Sequence, residues 1–191
     1  MITLSENLTL YHGSYTEVSV IDLGKCSGGL DFGKGFYVTS SHKQAISYVP
    51  SSVRKAKRRE KIPESFDEAD GRISVYRYHA ANGLSIHYFE DADVEWLHFA
   101  ACNRSKGLFP ELREKYKTAD IIGGKVADDV TAITLNNYVA GAYGVPGTAQ
   151  ADRIAIELLE PERLTDQFCF RTPGAILTLE FLRSERYGDV S

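Results

Sequence analysis

The clearest pattern along the chain is a pair of short apolar runs separated by a glycine-rich segment. The first run covers residues 8–11 and ends at His12-Gly13-Ser14, and the second covers residues 35–39. Apolar, β-branched and aromatic residues bounded by glycines are typical of short strands. We therefore expect two strands, with the side chain of His12 at the end of the first and that of Tyr37 within the second facing one open cleft.

Later segments change between the strand period and the helix period. Residues 72–78 alternate strictly, and residues 84–88 repeat the alternation after the turn pair Asn82-Gly83, which predicts a β-hairpin. From residue 93 the apolar spacing becomes helical. The other predicted elements are a short helix over 44–48 capped by Ser40 or Ser41, a strand over 119–126, a helix beginning at Asp128 or Asp129, a helix over 152–159, a strand over 168–172, and a terminal helix over 175–183 after Pro173.

The order of these elements predicts the fold class. Five or six strands mixed with three or four helices, without regular βαβ alternation, indicate an α+β domain. The chain has 191 residues, about one domain by length, and 43% of them are hydrophobic. No repeat or linker divides the sequence, so we expect a single domain over residues 1–191.

A charged stretch follows the first two strands. Six of the eight residues 54–61 are basic, and acidic residues follow at positions 64, 67, 68 and 70. Because apolar periodicity is missing, we expect residues 51–71 to be an insertion that is either mobile or ordered mainly by a partner. The basic run is either a solvated helix face or a contact for nucleic acid or an acidic protein.

Charge and cysteine content narrow the class of protein. The net charge of −4 argues against a general polyanion binder. No apolar run approaches the ~18 residues that span a bilayer, and no signal peptide is visible, so we expect a cytoplasmic protein that does not contact membranes. Neither the histidines nor the cysteines (Cys26, Cys102, Cys169) have metal-ligand spacing, so we expect no metal and reduced thiols.

Several residues near the N-terminus have the chemistry to bind a flat ligand. The glycine at position 13 would let a carboxamide approach the backbone N–H and C=O. Two tyrosines, Tyr37 and Tyr48, could stack on a pyridinium ring and gain cation–π attraction. The alternatives are a hydrogen-bonded strand-end histidine at position 12 and two packed core tyrosines. Gly33-Lys34-Gly35 lacks the strand-and-helix context of a Rossmann fingerprint.

The combination of HGS at 12–14, FGKGFY at 32–37 and Tyr48 resembles the NAD-binding half of the ADP-ribosyltransferase superfamily. The likeness is to the His-Tyr-Glu branch shared by diphtheria toxin and the poly(ADP-ribose) polymerases. The resemblance implies an ADP-ribosyltransferase-like split β-sheet core with flanking helices. It also implies that NAD is bound as a substrate, without a metal.

The resemblance further implies roles for individual residues. His12 would hydrogen-bond a ribose hydroxyl of NAD, and Gly13 with Ser14 would hold the nicotinamide amide. Tyr37 and Tyr48 would lie on either side of the nicotinamide ring.

The third motif position is a glutamine. Residues 166–170 match the strand that begins with glutamate in the His-Tyr-Glu families, so this chain reads His-Tyr-Gln with Gln167. An amide can bind a ribose hydroxyl, but it supplies no charge to an oxocarbenium-like transition state. A bacterial branch of ADP-ribosyltransferase-like domains is similar over about residues 8–183, including its glutamine. The matching residues are Glu95-Trp96-Leu97, Asn103-Arg104, Gly124 with residues 126–129, and Gln167 with Phe170 and Thr172. Of these, Asn103, Arg104, Asp128 and Asp129 either orient ligand or target, or cap helices.

The resemblance implies a mono-ADP-ribosyltransferase with His12, Tyr37 and Gln167 as catalytic residues. ADP-ribose would pass from NAD to an unidentified acceptor, a protein or a nucleic acid, and nicotinamide would leave. The bacterial branch often supplies the toxin of a toxin–antitoxin pair or an effector, so an antitoxin protein is an expected partner. Two alternatives stay open: a non-catalytic NAD or ADP-ribose binding module, and an interaction protein that uses residues 54–61.

Overall fold

The computed structural model describes residues 3–125, 129–160 and 164–191, and seven strands within them form one sheet. The strands are β1 (Thr9–Ser14), β2 (Phe36–Thr39), β3 (Arg72–Tyr78), β4 (Ile86–Tyr88), β5 (Ile121–Lys125), β6 (Asp166–Phe170) and β7 (Leu179–Arg186). Their order is β4-β5-β6-β2-β1-β3-β7. Neighbouring strands are antiparallel except β4 and β5, which are parallel.

Seven α-helices are found among the described residues. They are α1 (His42–Arg58), α2 (Val94–Arg104), α3 (Pro110–Lys115), α4 (Asp129–Val139), α5 (Ala149–Leu159), α6 (Pro173–Ile176) and α7 (Tyr187–Val190). Side-chain oxygens of Ser41, Asp93 and Thr148 cap α1, α2 and α5 by accepting backbone N–H bonds, which supports these starting points. The predicted mixture of strands and helices is confirmed.

Two groups of helices cover one face of the sheet. Helix α1 packs on β1, where Ala45 contacts Gly13, and α2 packs on β5, where Trp96 lies against Gly124. Strand alternation and register place both glycines on the same face. The opposite face is covered by α6 and by the β1–β2 connection, from which Val18 binds Ser74.

The sheet is almost divided between β1 and β2. A single residue pair, Tyr11 with Thr39, joins these strands, whereas six pairs join β1 to β3. Beyond the Tyr11–Thr39 pair the ladder ends, and we call this place the sheet opening. It separates a half made of β4, β5, β6 and β2 from a half made of β1, β3 and β7.

Two predicted elements are wrong. Residues 84–88 do not form a hairpin with β3, because β3 is already paired on both sides with β1 and β7, and β4 pairs with β5. The terminal helix predicted over 175–183 ends at Ile176, and the chain then forms edge strand β7 from Leu179. In both cases pairing with distant strands decides the structure.

The boundary of the charged insertion is also wrong. Residues 51–58 continue α1 through Pro50 instead of leaving the helix. A stripe at helical spacing, made of Ala45, Val49, Val53 and Ala56, is buried against the sheet. Burial of this stripe outweighs the local cost of a proline inside a helix. The mobility predicted for the segment stays a prediction.

Candidate functional site

The hydroxyl of Tyr37 holds the connection between β1 and β2. It donates a hydrogen bond to Gly33 O at 2.6 Å and accepts one from Phe32 N–H at 3.1 Å. The rings of Tyr37 and Phe32 stack with centroids 6.5 Å apart. Burial raises the pKa of Tyr37 well above its usual value, so the hydroxyl stays protonated and keeps these bonds.

His12 lies on the other face of the sheet from Tyr37. Its imidazole packs on Phe36 with ring centroids 4.5 Å apart, and its Nδ1–H donates to the backbone oxygen of Tyr37 at 2.7 Å. Since Phe36 and Tyr37 are neighbours in a strand, their side chains point to opposite faces. The expectation that the side chains of His12 and Tyr37 face one cleft is therefore wrong, and only the Tyr37 backbone connects them.

The protonation state of His12 follows from the same contacts. Burial lowers the pKa of His12, and the bond to the Tyr37 carbonyl opposes this only in part. The imidazole is therefore neutral near pH 7, with its proton on Nδ1. No partner of its Nε2 is found among the described residues, so this atom is available to accept a hydrogen bond from a hydroxyl.

The backbone of Gly13 points into the sheet opening. Leu8 O accepts from Tyr78 N–H, so even-numbered residues of β1 direct their backbone groups toward β3 and odd-numbered ones toward β2. Gly13 is odd-numbered, and the β1–β2 ladder has ended before it. Its N–H and C=O therefore point to a place where pairing with β2 has ended, and their binding of an amide stays a prediction. The side chain of Ser14 is buried and lies on the opposite face from Gly13.

Gly13 also has a structural reason to be glycine. A Cβ atom at this position would lie 2.0 Å from Ala45 O in α1. The strand and the helix can therefore approach each other this closely only with glycine here.

The side chain of Gln167 is largely buried and leaves its amide unpaired within the described residues. It is 9% exposed, and no hydrogen bond to it is found in the described part of the chain. The register pairs Gln167 with Thr39 and Cys169 with Tyr37, which places the Gln167 amide on the face that carries the helices. The amide atoms are not among the fully buried polar atoms that lack a partner, so they reach solvent and can bond a ligand or water.

Tyr48 lies on α1 and is 41% exposed. Tyr48 is one helical turn after Gln44, whose side-chain oxygen accepts a hydrogen bond from Thr39 Oγ1 at 2.9 Å. Both residues therefore lie on the side of α1 that faces β2. Lys55 Nζ lies 4.9 Å from the centre of the Tyr48 ring. Within the described ranges no ring contact joins Tyr48 to Tyr37, and that the two tyrosines enclose a nicotinamide ring stays a prediction.

A buried ion pair that the sequence did not reveal fixes the glycine-rich connection. Arg104 donates to Asp31 Oδ1 through Nε at 2.8 Å and through a terminal nitrogen at 2.6 Å, and the two side chains are 14% and 6% exposed. The neighbouring Asn103 donates to Asp31 O at 2.9 Å. Asn103 and Arg104 thus hold the segment before Tyr37.

Other residues matched in the bacterial branch have structural contacts. Trp96 is fully buried and donates to Lys125 O at 3.2 Å. A Cβ atom at Gly124 would lie 2.8 Å from the Phe32 ring, so glycine is required there too. Asp128 lies outside the described residues, so the role considered for it stays a prediction. The role considered for Asp129 is not tested by any described contact and also stays a prediction.

Two surface cavities lie elsewhere. One, of about 630 Å³, is lined by residues of α2 and α5, including His98 and Asp152, whose side chains pair at 2.9 Å. The other, of about 360 Å³, lies where β2 begins and β6 ends. Neither is lined by His12, Tyr37, Tyr48 or Gln167.

The described ranges contain no group of three or more His, Cys, Asp or Glu side chains that could hold a metal ion. No helix in them has the length and apolar character needed to cross a membrane.

A half-buried histidine, His87, predicts how stability depends on pH. Desolvation lowers the pKa of His87 below 6.5, and its buried Nε2 has no partner among the described residues. The unfolded chain therefore binds a proton more readily, and stability falls as the pH drops through 6.5. We expect His87→Phe to reduce the loss of unfolding free energy between pH 7.5 and pH 5.5 in urea titrations.

The control for this measurement is His79→Gln. Glu180 and Glu6 raise the pKa of His79, so this histidine adds stability at low pH that is lost as the pH rises through its folded pKa. Its removal should deepen the loss of stability in acid. Equal pH dependence in all three proteins would contradict the assignment.

Fold and site together define a mixed α/β domain with an opening in its sheet and unpaired polar groups beside it. Over residues 8–181 the chain matches the model of a family described as Protein of unknown function (DUF3990), and it belongs to that family. Neither the curated proteins nor the solved structures compared with the chain give a significant match.

Proposed function

We propose that the protein is an NAD-dependent mono-ADP-ribosyltransferase that acts at the sheet opening. The observation that carries the proposal is the Gln167 amide, which makes no hydrogen bond within the described residues and belongs to the residue paired with Thr39, where the β1–β2 ladder ends. A carboxamide and a ribose hydroxyl, both present in NAD, satisfy these groups. Cleavage of the nicotinamide–ribose bond then releases nicotinamide, and a nucleophile of the acceptor adds to the ribose carbon.

The geometry suggests a role for each residue. Gly13 binds the nicotinamide amide through its backbone, and the exposed ring of Tyr48 stacks on the nicotinamide. His12 accepts a hydrogen bond from a ribose hydroxyl at Nε2. Because His12 and Gln167 lie on opposite faces, NAD must cross the sheet opening to reach both. In this proposal Tyr37 acts by holding the connection, since its hydroxyl is already bonded within the chain.

The glutamine at position 167 limits how strongly the site can stabilise positive charge in the transition state. A hydrogen bond to a charged group contributes ~1.5–3 kcal/mol, against ~0.5–1.5 kcal/mol for a neutral one. Gln167 therefore stabilises a positively charged ribose less than a glutamate would. Positioning must supply most of the acceleration, and well-oriented groups can remove ~7–11 kcal/mol of a barrier.

The biological context of the proposed activity rests on the family resemblance alone. It supports a cytoplasmic toxin held by an antitoxin protein, or an effector, with a protein or a nucleic acid as acceptor.

A second candidate is a binding module for NAD or ADP-ribose without catalysis. It is favoured by the absence of a carboxylate at position 167: the adjacent Asp166 points to the other face and lies 3.7 Å from Lys125. An interaction protein that uses residues 54–61 has less support, since Lys55, Lys57 and Arg59 make hydrogen bonds within the chain.

NAD binding tests both NAD-based candidates. We expect NAD at ~100 times its dissociation constant to raise the unfolding free energy by ~2.7 kcal/mol in thermal-shift titrations. We expect Tyr48→Ala to weaken NAD binding by about 3- to 30-fold in calorimetry, because it removes one stacked ring with its cation–π attraction.

The matched control is Tyr143→Ala, which removes a tyrosine on the connection between α4 and α5. It should leave the affinity for NAD unchanged. An equal effect of both variants would remove Tyr48 from the site, and no response of the wild type to NAD would contradict the proposed function.

A further inference from the structure

The cavity of about 360 Å³ at the start of β2 and the end of β6 is positively charged. Its lining includes three cationic side chains, Lys34, Lys117 and Arg171, together with Gly24 and Thr172. No Asp or Glu is among its described lining residues. Since the whole chain carries a net charge of −4, these three cations are not part of a generally basic surface.

Arg171 is held in place by the backbone. One of its terminal nitrogens donates to Tyr116 O at 2.6 Å and to Ala119 O at 3.2 Å. Its Nε and its other terminal nitrogen have no partner among the described residues. A guanidinium fixed on one side in this way presents its remaining donors in a set geometry, which suits the oxygens of a phosphate.

Within the described residues the two lysines have at most an exposed ion pair. No ion pair of Lys34 is found in the described ranges. Lys117 pairs with Glu114 at 2.6 Å, but their side chains are 60% and 68% exposed, so the pair contributes little and can be exchanged for a ligand. Two carboxylates contact lining residues and are already hydrogen-bonded: Asp120 accepts from Thr172 Oγ1 and Ser85 N–H, and Asp22 accepts from Gly24 N–H.

We propose that this cavity binds the phosphate groups of a phosphorylated ligand. A volume of about 360 Å³ exceeds what one phosphate needs and lies within the usual range of small-molecule sites, which favours a diphosphate or a nucleotide. Arg171 follows Gln167 by four residues, or about 13 Å along an extended chain. The phosphates are therefore those of NAD itself or those of a phosphorylated acceptor.

Pyrophosphate binding measured by calorimetry on the whole protein tests the proposal. We expect wild type to bind pyrophosphate with an affinity that falls as salt is added. We expect the double variant Lys34→Ala, Lys117→Ala to bind at least about tenfold more weakly, since two charged contacts are lost. Both lysines are exposed, so the variant keeps its fold.

The control variant, Lys61→Ala with Lys106→Ala, removes the same charge from exposed positions outside the cavity and should bind like wild type. No pyrophosphate binding by the wild type, or equal affinity in both double variants, would overturn the proposal. The measurement contains no NAD, so its failure leaves the proposed function standing.

A second titration identifies the source of the phosphates. If the cavity holds the diphosphate of NAD, saturating pyrophosphate will weaken NAD binding in wild type. If the cavity holds the phosphates of an acceptor, NAD will bind equally well with and without pyrophosphate. Either result is consistent with a phosphate site and assigns its natural ligand class.

Discussion

Arg104→Ala is expected to destabilise the protein by about 3–5 kcal/mol, because it leaves the buried carboxylate of Asp31 without its cation. The two side chains are 14% and 6% exposed, so water cannot readily replace the lost donors. Urea titration at pH 7 measures the change in unfolding free energy. The variant should also bind NAD more weakly, since the segment from Asp31 to Tyr37 loses its attachment to α2.

The control for Arg104 is a double-mutant cycle. Asp31→Ala together with Arg104→Ala removes both charges, and it should be less destabilising than the sum of the single changes. Purely additive effects, or a loss below about 1 kcal/mol for Arg104→Ala, would show that the ion pair does not hold the connection.

Gly13→Ala is expected to cost about 3 kcal/mol or more of unfolding free energy. The new Cβ would lie 2.0 Å from Ala45 O, and backbone of a packed helix cannot move away as a flexible side chain can. Any variant that folds should bind NAD poorly, because α1 and β1 must separate at the sheet opening.

Gly28→Ala is the matched control, since a Cβ atom there meets nothing within 4 Å and the residue does not have a positive φ. It should change stability by less than about 1 kcal/mol. If the two variants are equally stable, the close contact between β1 and α1 is not as described.

The sequence predicts well those elements whose signals are local. The alternation of apolar residues in β1 and β2, and the helical period after Asp93, identified elements that the structure contains. Strand β7 was missed because residues 175–183 fit a helical period, and its pairing with β3 joins residues about a hundred positions apart. The continuation of α1 beyond Pro50 likewise depends on burial against β1 and β3.

In the candidate site, too, local features were predicted from the sequence and features that depend on distant contacts were not. The motif around His12 and Gly13 was visible in sequence, but the faces on which His12 and Tyr37 lie depend on the relative register of two strands. The pairing of Asp31 with Arg104 spans 73 positions, so no local pattern reveals it. The second reason for glycine at position 13, contact with Ala45, is equally non-local.

Substitutions of Gln167 distinguish an enzyme from a binding module. If its amide aligns the ribose as charge develops, Gln167→Ala should slow transfer while NAD affinity stays nearly intact, because the bond acts mainly in the transition state. Losing a charged or strong donor of this kind typically lowers rates by ~10²–10³, and a smaller factor is expected for a neutral amide. Gln167→Glu should raise NAD hydrolysis if the site accepts a carboxylate.

Transfer of label from NAD in a single turnover tests the central claim most directly. The protein is mixed with NAD labelled in the ADP-ribose part and with a cell lysate, and the labelled fraction is then identified. We predict label on a macromolecule with wild type, and slower labelling with Gln167→Ala at matched NAD occupancy. Normal NAD binding by wild type without transfer or hydrolysis in any lysate, combined with activity in Gln167→Glu, would contradict the enzyme and favour the binding module.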